Sequence, residues 1–523
     1  MVEKFKQFLT EKESSLRSPL LRGVGVVILL AVGTLLAIFS LLDPKPAETG
    51  FRDFWFGGTV QAMPTGEKPE STLWWNDDVW WGSLWNPDKN AYYIYRLDLT
   101  SQKWVATNTA LDNRPRTKVD VLWDENSGKL YLVSHVFVSK AQPSSNSLEW
   151  GRLYSYSYDA GTKTYTLDKP FPVHVTRGKS EALTLARDSL GRLWVTYVEN
   201  GTVMVNHSVS SDSEWGTPTA FPASPEAVSV SKDDISTIVA FQGNKIGVMW
   251  SNQFTGRFYF GVHRDEDSAS VWQPEEIVTL PGCTKHCSDD HINLKSDSSG
   301  RVYAAVKTSL KDPDEPSVAL LVRDPCGGWD GSVFGRVRDH HTRPIVLLDE
   351  EHDRVYVFAT WPQSGRAIYY KTAPLSHLEF PAGIGEPFIK GMIRTKITDA
   401  TSTKQSLSSA TGLVVLASDS KRFYLHNFLS LGPAGAPAIT SFEPVSGPTG
   451  TSVTLLGTHF TGTTRVAFSG AVTTFAVVSD TQIDTTVPDG SPRGRISVTN
   501  AAGTAYSRTE FAVLNPVPTC SSF

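Results

Sequence analysis

DENSGKLYLVSH, residues 124–135, is a hairpin spelled out in residue types: an Asp/Glu/Asn/Ser/Gly turn, then alternating apolar residues. Gly, Asn, Asp and Ser suit such a turn because they accept positive φ or bond their own backbone at little steric cost. The unit recurs as RDSLGRLWVTYV from Arg187, FQGNKIGVMWSN from Phe241, SDSSGRVYAAVKT from Ser296, DEEHDRVYVFATW from Asp349 and SATGLVVLASD from Ser409. A shorter copy, WWNDDVWWGSLW, starts at Trp74 and brings the total to about seven.

Each hairpin pairs an apolar strand before its turn, such as Ile345 to Leu348, with an alternating strand after it, such as Val355 to Phe358. A third strand follows, as in YYIYRLDLT from Tyr92 and RFYFGVHRD from Arg257, and a fourth often carries Trp104, Trp215 or Trp272. Four strands per unit, repeated many times, predict an all-β chain with an about seven-bladed β-propeller over 71–430. The stretch 43–70 reads as a linker, within which Phe51 to Gln61 is expected to close the ring beside the last blade. Trp74, Trp75, Trp80 and Trp81 alternate along their strands and are expected in blade core, although such rings also stack sugars.

Residues 23–42, GVGVVILLAVGTLLAIFSLL, contain no charge and are long enough to cross a hydrocarbon core of about 30 Å. Lys4, Lys6, Lys12, Arg17 and Arg22 precede them, so the positive-inside bias places a 1–22 tail in the cytoplasm and the bulk of the chain outside. The competing reading is a cleaved signal peptide; no clear A-x-A site follows the apolar run. A net charge of −5 with interspersed signs argues against nucleic acid as a partner. Cys283 and Cys287 are spaced for a small disulfide loop, with a Cys283, His286, Cys287, His291 zinc site as the alternative. Cys326 and Cys520 have no obvious mates.

A small-residue linker after Leu431 opens a second unit over 437–514, followed by a 515–523 tail. Its alternating strands predict a small sandwich. The order ITSFEPVSGPTGTSVTLLGTHF, RVAFSG, VVSDTQIDTTVP, GRISVTNAAGTA resembles the IPT/TIG family. That resemblance implies an immunoglobulin-like interaction domain without catalytic residues.

In a propeller, the segments leading into the innermost strands and the ends of the second strands meet on one rim, called here the upper rim. The leading segments carry Arg114, Arg116 and Asp120; Arg177, Lys179 and Glu181; Asp233 and Asp234; Asp289, Asp290, His291 and Asn293; His340, His341 and Arg343; Asp399, Thr403 and Lys404. The strand ends add Ser134, His135, Asn252, Lys307 and Trp361. Facing carboxylates, imidazoles and guanidinium groups perturb one another, as functional sites do. The expected ligand set is Arg116, Asp120, His135, Lys179, Asp233, His291, Asn293, Lys307, His341, Arg343 and Lys404.

Were the chain a glycosidase, Glu181, Asp234 and Asp290 are the candidate carboxylates. The arrangement is loosely similar to sialidase and kelch-like propellers, without an S-x-D-x-G-x-T-W box or an assignable arginine triad. Asp233, Asp234, Asp289 and Asp290 also offer hard oxygen ligands, making calcium the candidate cation. The expected function is a single-pass, membrane-anchored extracytoplasmic protein whose propeller face recognises a glycan or protein. A carbohydrate-active hydrolase and a structural cell-envelope component are the alternatives.

Overall fold

The computed structural model describes residues 45–46, 49–60, 63–66, 68–278, 280, 283–391, 395–431 and 436–514. The expected tail 1–22, apolar span 23–42 and tail 515–523 lie outside them. Among the described residues no helix is long and apolar enough to cross a membrane.

The repeated turn owes its geometry to its aspartate. Asp188 Oδ1 accepts from Leu190 N at 3.0 Å and Arg192 N at 2.8 Å, and Asp297 Oδ1 accepts from Arg301 N at 2.8 Å. Gly191 and Gly300 take up the left-handed backbone these turns require, at φ +90° and +87°. The first sheet then runs outward in chain order as Leu73–Asn76, Val79–Asn86, Ala91–Asp98 and Lys103–Ala110.

Among the described residues, seven antiparallel sheets of four or five strands precede residue 430. The first strands of the second to sixth are Thr117–Asp124, Leu183–Arg187, Ser236–Phe241, Ile292–Ser296 and Thr342–Asp349. First strands of neighbouring sheets pack side by side, which makes them the inner ones. The seventh sheet consists of Ile397–Thr401, Leu413–Asp419 and Phe423–Leu429, and Phe51–Trp55 pairs onto its outer edge. Seventh and first sheets are bonded to each other: Trp80 Nε1 donates to Thr411 O at 2.7 Å, and Trp85 N donates to the Tyr424 hydroxyl at 2.8 Å. These sheets are consistent with propeller blades.

Trp74, Trp80, Trp81 and Trp85 are buried with Tyr92 and Tyr424 in a core shared by adjoining sheets, so the tryptophan cluster is packing rather than a sugar platform. Each removes roughly 200 Å² from water. Trp215 and Trp272 differ from their expected place. They precede the fourth strands of their sheets, Thr219–Ala220 and Glu276–Val278, and Trp215 is bridged to Ser208.

From Ala438 the chain forms two further sheets, one of four strands and one of five. Phe442, Leu455, Phe468, Ile483, Ile496 and Phe511 fill the space between them as a separate core, as alternation along a sandwich strand requires.

Candidate functional site

The stretch 43–70 reads as a linker, yet residues 65–66 and 68–72 cross the mouth of the ring as a strap. Thr65 Oγ1 donates to Asp399 O at 2.7 Å, and Lys118 Nζ donates to Gly66 O at 2.8 Å. Asn293 Nδ2 donates to Lys68 O at 3.3 Å. Glu70 Oε1 lies 2.5 Å from His135 Nε2 and accepts from Leu183 N at 3.3 Å. Ser71 N donates to Asp120 Oδ1 at 2.9 Å, and Thr72 N donates to Thr401 Oγ1 at 3.1 Å. The strap is thereby bonded to the second, third, fifth and seventh sheets.

Its lysine is the centre of the arrangement. Lys68 Nζ lies 2.6 Å from Glu181 Oε1 and also pairs with Asp290 Oδ2. Glu181, Asp233 and Asp290, from three successive sheets, bring carboxylate oxygens within 4.8 Å of one another, as their shared register predicts. Beside them His291 Nδ1 is 2.7 Å from both Asp289 Oδ1 and Asp290 Oδ1, and Lys307 Nζ is 2.5 Å from Asp289 Oδ2. Burial acts to raise the pKa of Asp290, but His291 and then Lys68 hold it well below the usual carboxylate range. Asp233 is pushed up, by burial first and by the Asp290 charge second.

Other expected members have different duties. Asp234 is fully buried, accepting from Ser251 Oγ at 2.7 Å, Ser231 N at 2.8 Å and Gln253 N at 3.1 Å, so its oxygens are committed to the turn that leads into its strand. His341 is fully buried beside Phe334 and donates from Nε2 to Ile384 O at 3.0 Å. It lies among outer strands of the fifth and sixth sheets because the turn Val337–Asp339 and a left-handed His340 redirect the chain just before it. Burial pushes its pKa down to about 4.

Arg116 is exposed, Lys179 pairs with Glu149 at 2.9 Å, and Arg343 pairs with Asp399 at 3.2 Å. Arg343 and Asp399 both adopt left-handed backbone, at φ +53° and +55°, where the inner strands of their sheets shift register. Lys404 crosses to Asp120 Oδ2 at 2.5 Å.

Cys283 and Cys287 form a disulfide, which removes the thiolates a zinc site needs. Cys326 is also disulfide-bonded. Of the four carboxylates expected for calcium, Asp289 and Asp290 meet beside His291, Asp233 meets Asp290 and Glu181, and Asp234 is turned into its own loop; Asp290 is also paired with the Lys68 ammonium. Asn206, a glycosylation candidate by its tripeptide, is buried and donates to Val175 O at 3.0 Å.

Sequence reading missed Lys68 and Glu70. Both sit in PTGEKPEST, which has the composition of a linker and no periodicity to give it away.

Residues 437–513 match the IPT/TIG domain. No curated protein matches the chain in sequence. A fungal alcohol oxidase of the AA5 family, solved in complex with copper, is similar in fold over 89% of this chain and 100% of its own, at 12% identity and a TM-score of 0.50. The polysaccharide lyase Uly1 covers 74% of this chain and 98% of its own, at 9% identity and a TM-score of 0.41. The NanB sialidase from Streptococcus pneumoniae covers 72% and 70%, at 13% identity and a TM-score of 0.37.

Proposed function

We propose that this protein is a seven-bladed propeller with an IPT/TIG domain, held at a membrane by residues 23–42, and that its upper rim binds a glycan outside the cell. The observation that carries the reading is a set of ion pairs on that rim. Lys179 with Glu149 and Lys307 with Asp289 are partly exposed pairs, each side chain fixed by its mate, and the partly exposed Arg343 is held by the buried Asp399. Fixed donors beside fixed acceptors suit a hydroxyl-rich ligand, because every hydroxyl can both donate and accept.

Hydrolysis is less well supported. A glycosidase needs one carboxyl as acid and a second as base or nucleophile. Lys68 engages Glu181 and Asp290, and Asp234 is sealed in its turn. Full-length protein in detergent is expected to bind a glycan class on an array, at least tenfold more weakly after Asp289→Asn or Arg343→Ala, and to leave a panel of chromogenic glycosides intact. Turnover abolished by Glu181→Gln and Asp290→Asn would replace binding with catalysis, and an array without any binding sinks the reading. Retention in membranes after alkaline carbonate washing tests the anchor; a shortened soluble form would mean cleavage.

A further inference from the structure

A lysine stands where alternation calls for an apolar side chain. In the sixth sheet's third strand, Ala367–Pro374, the residues Tyr369, Lys371 and Ala373 share one face. Ala373 on that face is buried between the fifth and sixth sheets in a core with Phe334 and Phe380. Lys371 is 4% exposed. Its ammonium donates to Phe334 O and stands 4.9 Å from the centre of the Phe334 ring. Among the described residues that carbonyl is the one acceptor bonded to it. An ammonium has three N–H groups, and a buried charge without a mate is costly.

Beside it lies a cavity of ≈ 260 Å³, among outer strands and apart from the rim. Its lining includes Lys371, Val333 and Phe334 of the outer strand Trp329–Arg336, and Leu378, Phe380 and Pro381 of the connection that follows Pro374. The other charges on its border are accounted for. Arg338 pairs with Asp314, and the exposed Arg336 donates to Asp314 O. Asp339 Oδ2 accepts from Arg336 N at 2.8 Å, and the exposed Glu379 lies 3.3 Å from His377 Nε2. Behind Phe334, His341 is neutral near pH 7, since burial holds its pKa at about 4. Burial disfavours the charged form of Lys371 as well, and the Asp339 charge works the other way. The one fully buried charge at this cavity is therefore positive, and apolar side chains surround it.

We propose that this cavity binds a small organic carboxylate, with its apolar body against Phe334, Leu378 and Phe380 and its carboxylate on the Lys371 ammonium. The carboxylate supplies the charged acceptor that Lys371 lacks. Pockets for drug-sized molecules run from about 300 to 1,000 Å³, so the volume suits a smaller molecule.

The test titrates benzoate, benzamide and inorganic phosphate into full-length protein in detergent by calorimetry, at pH 7 and constant ionic strength. Benzoate is expected to bind at one site, and benzamide, the same ring without the charge, about tenfold or more weakly. That ratio requires no substitution, so it decides even if a variant fails to fold. Lys371→Met is expected to bring benzoate down to the affinity of benzamide. Ala382→Trp fills the cavity from an exposed position on its lining, keeps the lysine, and is expected to abolish binding of both. Crystals soaked in 4-bromobenzoate give a second readout, an anomalous peak inside the cavity with the carboxylate within hydrogen-bond distance of Lys371 Nζ. Equal affinity for benzoate and benzamide in the wild type, undiminished benzoate binding in either variant, a response to phosphate alone, or no binding at all overturns the proposal.

Discussion

Lys68 holds two carboxylates that have no reason to approach each other without it. Its side chain and that of Glu181 are 4% and 6% exposed, so removing the ammonium strands buried negative charge. Lys68→Met is expected to lower the unfolding free energy by roughly 3 kcal/mol, the loss typical of breaking a buried pair from one side. Adding Glu181→Gln should restore part of it, since one of the two facing charges then disappears. Denaturant midpoints of both variants decide this, and an unchanged midpoint for Lys68→Met would show that the pair stabilises nothing. The meeting of Glu181, Asp233 and Asp290 was legible because their shared register fixes where each side chain emerges. Their partner was not, because Lys68 is 113 residues from Glu181 and 222 from Asp290 in sequence.

Strands were the most readable part of the chain, since alternation and turn chemistry are both local. Close approach between strands was less so. Gly247, in the second strand of the fourth sheet, has the Phe260 ring of the adjacent strand over it; a Cβ there would lie 2.2 Å from Phe260 Cζ. Gly247→Ala is expected to cost about 1 to 3 kcal/mol through overpacking. Gly58→Ala, at a position with open space around it, serves as the control and should leave Tm unchanged. If the two variants melt alike, the ring has room to move and the strand pair is looser than drawn. The strap is the opposite case, an element whose whole conformation is set by distant partners, so local pattern carries no trace of it.

The C-terminal domain was recognisable from its own motif order, but its seat on the ring was not. Arg493 Nη1 lies 3.1 Å from where a Gly243 side chain would begin, and Tyr506 feels the charge of Glu351 on the sixth sheet's turn. Glu351 accepts from Ser409 N at 2.7 Å and Ser409 Oγ at 2.6 Å, and burial pushes its pKa up to about 7. A carboxyl with a raised folded-state pKa contributes its full stability below its ordinary value near 4.5 and loses it as pH rises toward 7. Between about pH 4.5 and 7.5 the wild type should therefore lose up to about 3 kcal/mol relative to Glu351→Gln, which keeps a neutral group there. Unfolding midpoints at the two pH values measure it; parallel profiles would mean that Glu351 titrates normally.

The strand Phe51–Trp55 has a consequence in time. Arg52 pairs with Asp419, 367 residues later, at 3.0 Å. At about 5 to 20 residues per second, the ribosome needs roughly 20 to 70 s to make the intervening chain. A hairpin forms in microseconds, so for nearly all of that interval the early strand waits without its mate. Of the seven sheets before residue 430, the seventh is the first to be started and the last to be finished, and the rate of synthesis, rather than of folding, sets how long its edge stays open.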